Sequence, residues 1–81
     1  MSSVITALKL RYLKTLEEVC MKKPMGLATP IDVEFRMGLK PKTAKVMLKR
    51  LLDMDLLERP YRGCYRLADE GRKIMKEAEG P

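Results

Sequence analysis

The chain has no histidine and no tryptophan, and its 81 residues include only two cysteines and four aromatics. Without histidine the commonest general base is missing, and with it every Ser-His or Cys-His nucleophile. The usual zinc ligand sets are out of reach for the same reason. Cys20 and Cys64 are too few and too far apart for a disulfide framework or a CxxC metal site, so they read as free thiols, one on the first helix and one on a strand. No GxxxxGK(S/T) or GxGxxG pattern is present. Catalysis is not expected, and neither a cofactor nor a small-molecule substrate is implied. Long apolar runs are missing as well: none exceeds three residues, too short for a membrane span. The opening MSSVITALKLRYL lacks the unbroken apolar block and small-residue cleavage site of a signal peptide. What remains is a single small domain, expected to be cytoplasmic, with 46% hydrophobic residues to build one modest core.

A further absence is local. From Phe35 to Leu52 there is no acidic residue, while Arg36, Lys40, Lys42, Lys45, Lys49 and Arg50 are all basic. Outside that window 11 basic residues balance 11 acidic ones, so the window holds the whole net charge of +6. Such a balance favours a polyanionic partner, either nucleic acid or an anionic membrane face. Solvated surfaces normally mix signs, so a one-sided run points to a partner. Within the window Ala44, Met47 or Leu48, Leu51 and Leu52 recur at the spacing of one buried helical stripe. Lys42, Thr43, Lys45, Val46, Lys49 and Arg50 take the opposite face. Lys40-Pro41 is the predicted helix start, with proline where its missing N–H does no harm. An apolar back and a basic front suit the major groove of duplex DNA. There the lysines and Arg50 would grip phosphates, and Thr43 and Val46 would touch base edges, Val46 against a thymine methyl; Lys45 could do either. Arg36, on the preceding helix, is a candidate phosphate contact. RNA recognition would call for stacking aromatics that the chain does not supply. A membrane-surface role would need a helix with its apolar face uncovered, and every helix here is expected to contribute to the core.

The remaining chain frames that helix. A first helix is expected after Ser2-Ser3, either of which can cap it, and runs to about Lys22 before Pro24. Ile5, Leu8, Tyr12, Leu16 and Val19 form its inner stripe, widened by Leu13 and Cys20. Its first turns (Val4, Ile5, Leu8) either fray or meet a second copy. A minimal strand is expected around Leu27-Ala28. Thr29-Pro30-Ile31-Asp32 is a helix start with cap, N1 proline and a first-turn acid. That helix, Pro30 to Met37, is expected to bury Ile31 and Phe35, with Val33 a further candidate, and to close at Gly38 in the left-handed conformation. Two helices separated by about three residues with glycine at the bend form a helix-turn-helix, residues 30–53, with Leu39 plugging the angle. The basic helix ends near Asp53-Met54, with Asp55 at positive φ. Leu56–Arg59 and Cys64–Leu67 read as strands of a hairpin spanning residues 56–67, with Pro60-Tyr61-Arg62-Gly63 as its turn and Leu57, Tyr65 and Leu67 facing inward. Residues 69–79 form a last helix with Ile74, Met75 and Ala78 on one side, stopped by Gly80-Pro81. Met21, Met37, Met47, Met54 and Met75 read as core filler.

The stretch GLKPKTAKVMLKRLLDMDLLERPYRGCYRLADEGRKIMKE, about half the chain, resembles small bacterial and archaeal regulators of the MarR- and PadR-like kind. The resemblance implies a fold that is α+β but mainly α: a winged helix-turn-helix with a three-helix core, a short β-hairpin wing and a C-terminal helix. It further implies a homodimeric, sequence-specific transcriptional regulator of double-stranded DNA. Its recognition face by position is Lys40, Lys42, Thr43, Lys45, Val46 and Lys49, and its wing tip is Tyr61-Arg62-Gly63, set on the backbone or the neighbouring minor groove. Three positions depart from the pattern: Lys40 replaces a serine cap, Asp55 a glycine and Ala68 a threonine. The chain shows no sensor segment, so control by protein level, partners or competition for sites is expected. The alternative is a winged-helix protein-interaction module whose basic face meets an acidic partner in a larger assembly.

Overall fold

The computed structural model describes residues 6–79. Helix α1 (Ala7–Lys22) begins at Thr6, whose hydroxyl accepts the Lys9 N–H at 3.2 Å. Thr6 thus takes the capping role assigned above to Ser2 or Ser3, which with Val4 and Ile5 lie outside the described residues. Tyr12, Leu13, Leu16, Val19 and Cys20 are buried, whereas Leu8 is exposed, one turn short of the core. After Pro24 the chain comes back at Ala28, which exchanges two backbone hydrogen bonds with Tyr65 at 2.9 and 2.7 Å. This is the minimal strand expected there. The Tyr65 carbonyl also receives the buried Cys20 thiol at 3.6 Å. Burial, reinforced by the Glu17 charge, pushes that thiol up to about 11. Both cysteines are free.

Helix α2 (Pro30–Met37) opens on a reciprocal cap, with the Asp32 N–H on the Thr29 hydroxyl and the Thr29 N–H on the Asp32 carboxylate. Gly38, at φ 69°, closes it, and the Leu39 N–H reaches back to the Glu34 carbonyl at 2.9 Å. The buried face is not the expected one. Val33 and Glu34 point inward, while Ile31 and Phe35 stand outside, 74% and 90% exposed. Val33 and Phe35 lie about 200° apart around the helix and cannot share the inner face, so burying Val33 together with Glu34 turns Phe35 outward. Glu34 wins because its carboxylate bonds the next helix.

Helix α3 (Thr43–Asp53) starts later than Lys40-Pro41. Those residues belong to a turn closed by the Thr43 N–H on the Lys40 carbonyl at 3.2 Å, with Lys42 at φ 72°, ψ −5°. Proline second and a positive φ third make a type II turn, so Pro41 bends the chain before the helix instead of opening it. Ala44, Leu48 and Leu51 are fully buried against α1 and α2; Leu39, Met47 and Leu52 pack around them. Each fully buried leucine contributes about 1.5–3 kcal/mol. At the far end the Asp55 and Leu56 N–H groups bond back to the Leu52 and Leu51 carbonyls, with Asp55 at φ 63°. This Schellman closure carries Leu56 into the core.

Strands β1 (Leu57–Tyr61) and β2 (Cys64–Leu67) pair antiparallel, Leu57 with Leu67, Glu58 with Arg66 and Tyr61 with Cys64. The turn is shorter than expected: β1 continues through Pro60 and Tyr61, leaving Arg62-Gly63, with Gly63 at φ 76°. The register slips between Glu58 and Tyr61, so Arg59-Pro60 face one residue of β2. A bulge has no ladder bond for proline to break, which is why Pro60 fits inside a strand. Leu57, Tyr65 and Leu67 face the core as expected.

Helix α4 (Asp69–Glu79) packs where Gly71 meets the Leu56 backbone; a Cβ at Gly71 would collide with the Leu56 carbonyl oxygen. The same carbonyl accepts the Ala68 N–H at 3.0 Å. Met75 is buried and Ile74 half-buried, but Ala78 is exposed. Met21 and Met54 are exposed too, so of the five methionines expected in the core Met37, Met47 and Met75 are the ones that fill space there. Among the described residues no helix is long and apolar enough to cross a membrane.

Candidate nucleic-acid interface

One face of α3 is committed to the core through Ala44, Leu48 and Leu51; the other carries Thr43, Lys45, Val46, Lys49 and Arg50, all exposed. Lys40 and Lys42 extend that face from the type II turn, also exposed. Among the described residues none of Lys40, Lys42, Lys45, Lys49, Arg50 or Arg62 enters an ion pair. The charge is therefore uncompensated at close range, and Asp53 marks its end. Val46 is 60% exposed in the middle of these cations, so an apolar surface is free for contact among them.

The hairpin turn lies beside the start of α3. Lys42, Lys45 and Gly63 line one shallow cleft of about 390 Å³ together with Pro30, Ile31 and Glu34. Tyr61 and Arg62 are exposed at the tip, Tyr61 by 60%. The structure thus brings Lys40, Lys42, Thr43, Lys45, Val46, Lys49 and Arg50 together on one face, with the Tyr61-Arg62 tip next to it. Arg36 stands apart. Its guanidinium is 3.1 Å from Glu18 of α1, a half-exposed pair that ties α2 to α1 instead of joining the α3 cluster.

One contributor escaped the sequence. Glu34, only 6% exposed, accepts the Ala44 N–H at 2.9 Å and so supplies the cap that α3 lacks from its own N-cap residue, Lys42. A carboxylate at that end also meets the positive pole of the helix. Burial, then the neighbouring Glu34 charge, push the Tyr12 phenol up. The eighteen-residue acid-free window from Phe35 to Leu52 had hidden this partner, because the acid that caps the helix lies just before it, on a helix whose rotation the hydrophobic pattern misassigned. Lys42 was an expected contact, but its positive φ was not, because Lys-Pro-Lys-Thr does not advertise the turn that sets it.

No protein-family model matches the sequence. Transcriptional regulator MntR of Escherichia coli, in strain CFT073 and in O157:H7, is 39% identical over 57 residues, 69% of this chain and 36% of the relative. The chain therefore spans little more than a third of the length of these curated relatives. Among solved structures, IdeR of T. acidophilum superposes with a TM-score of 0.74 and 27% identity, over 93% of this chain and 33% of that one. The reduced form of MarR from E. coli gives 0.78 at 20% identity, over 94% of this chain and 52% of that one. The chain has the winged helix-turn-helix fold. In this winged helix α2 and α3 are the helix-turn-helix pair and β1–β2 is the wing. The MarR likeness, at its low identity, speaks to the fold; the MntR likeness adds residue-level kinship over two thirds of the domain.

Proposed function

We propose that this winged helix binds duplex DNA as the DNA-contacting part of a transcriptional regulator. Helix α3 enters the major groove and the wing rests on the backbone or the neighbouring minor groove. The observation that carries this reading is the row of exposed, unpaired cations on α3 and its leading turn, set beside a cationic wing tip. Lys40, Lys42, Lys49, Arg50 and Arg62 hold phosphates, Thr43 and Val46 read base edges, and Lys45 serves either purpose. A relative named as a transcriptional regulator supports the same role. A two-fold dimer built from α1 and α4 would present two α3 helices to half-sites about one helical turn apart.

Titration of random duplex DNA at several salt concentrations tests the reading. About five phosphate contacts should give a log–log slope of roughly −4 to −5. A flat salt response, or no binding at low salt, refutes it.

A further inference from the structure

Ile31 and Phe35 lie one helical turn apart on the outer face of α2, 74% and 90% exposed, and the DNA reading gives Phe35 no task. Between α2 and the end of α1 runs an open groove of about 480 Å³, lined by these two and by Val19, Lys22, Lys23, Asp32 and Arg36. Val19 forms an apolar part of the lining, and three cations stand around it. Lys22 has no ion pair among the described residues. Lys23 and Arg36 hold only half-exposed pairs, with Asp32 at 3.4 Å and Glu18 at 3.1 Å. An incoming carboxylate can share such cations at little cost, because exposed pairs contribute little.

We propose that this groove docks a short acidic amphipathic segment of a partner protein. Its apolar side chains sit on Ile31 and Phe35, and its carboxylates meet Lys22, Lys23 and Arg36. Charge selects this occupant over a second copy of the chain: a two-fold contact of the patch with itself would set its cations against one another. Size points the same way, since two side chains and a groove floor fall well short of the roughly 800 Å² per partner of a standard interface. Two anchors at i and i+4 with a flanking groove suit a peptide-sized ligand. The proposal is independent of DNA binding by α3.

The test uses a synthetic helical peptide with leucine and phenylalanine along one face and glutamate elsewhere, a second version with glutamine for glutamate, and a third with serine for the apolar residues. Fluorescence anisotropy gives affinities, and amide chemical shifts locate the site. The acidic amphipathic peptide should bind, shift residues at the end of α1 and along α2, and lose about tenfold or more in affinity with Phe35→Ser or Ile31→Ser. Lys22→Glu should weaken the glutamate peptide and leave the glutamine peptide unaffected. Duplex DNA should bind Phe35→Ser as it binds the parent chain, which separates failure here from failure of the DNA reading. No binding of the acidic peptide, equal binding of the glutamine or serine peptides, or indifference to Phe35→Ser overturns the proposal. So does a self-association that Phe35→Ser abolishes, since the occupant would then be a second copy.

Discussion

The Glu34 carboxylate and the Ala44 N–H, ten residues apart and on different helices, meet at 2.9 Å in the interior. This bond fixes the rotation of α2, caps α3 and turns Ile31 and Phe35 outward, so one side chain orients both halves of the helix-turn-helix. Glu34→Ala should lower stability by about 1–2 kcal/mol, the usual effect of losing a cap. Glu34→Gln, which keeps an oxygen acceptor, should lose less. Urea denaturation measures both, and amide exchange at Ala44 should quicken in the alanine variant. Unchanged exchange there would mean that the cap is not needed.

Lys42 combines a strained backbone with a useful charge. A non-glycine residue in the left-handed region is destabilised by about 1–2 kcal/mol, and Lys42 sits there at φ 72°. Lys42→Gly should therefore raise the thermal midpoint, with a gain of about 1 kcal/mol once the greater freedom of the unfolded glycine is subtracted. The same change removes one cation, so the salt slope for DNA should flatten by about 1. A more stable protein that binds more weakly is the expected pair of results.

The exposed face of α3 divides into residues that grip and residues that read. Lys49→Ala should weaken binding to all sequences alike. Thr43→Ala or Val46→Ala should change which sequence is preferred, by about 1–3 kcal/mol where a base contact is lost. Selection of bound sequences from a random duplex pool, followed by titration of the winners, checks this. Equal losses on every sequence for all three variants would mean that no base is read through Thr43 or Val46.

Gly71 lets α4 lie directly on the Leu56 carbonyl. Gly71→Ala would place a methyl group against backbone that cannot yield without moving the Leu56 closure of α3. Overpacking of this kind typically costs about 1–3 kcal/mol. In a helix alanine is otherwise favoured over glycine by up to about 1 kcal/mol, so a measured loss in denaturant would show the contact outweighing propensity.

At the start of α2, burial acting alone would raise the Asp32 carboxyl. Bonds from the Thr29 N–H and hydroxyl and from Lys23 instead hold it below the ordinary aspartate range. With the folded value lowered, the stabilisation is complete above the unfolded value of about 3.9 and disappears as pH falls through the folded one. Asp32→Asn should accordingly flatten the acid limb of a stability–pH curve below about pH 4 and lower the plateau above it. An acid limb identical in the two proteins would remove Asp32 from the account.

Local chemistry was legible wherever a residue acts on its own segment. Thr29-Pro30-Ile31-Asp32 announced its helix, Gly38 its end and Asp55 its positive φ, since caps and left-handed closures depend on neighbours in the chain. The apolar stripe of α3 was legible because Ala44, Leu48 and Leu51 have no competing demand. Misreadings arose where a distant partner decides. Phe35 is more hydrophobic than Glu34, but a backbone donor on α3 holds the carboxylate inside. Pro41 looks like a helix opener until the Thr43 N–H bonds Lys40. Pro60 looked like part of a turn because a bulge has no fixed composition. The basic side of α3 was legible as a charge pattern, whereas the withdrawal of Arg36 into a pair with Glu18 required the packing of α1 on α2.

The bulge at Arg59-Pro60 also guards the hairpin. Ala28 bridges β2 on one side, so β1 is the open margin of the sheet, where a foreign chain could add itself. Proline offers no donor there, and the slipped register breaks the even row of groups that strand addition requires. A protein that leaves the outer edge of its hairpin in solvent is in this way shielded from aggregating through it.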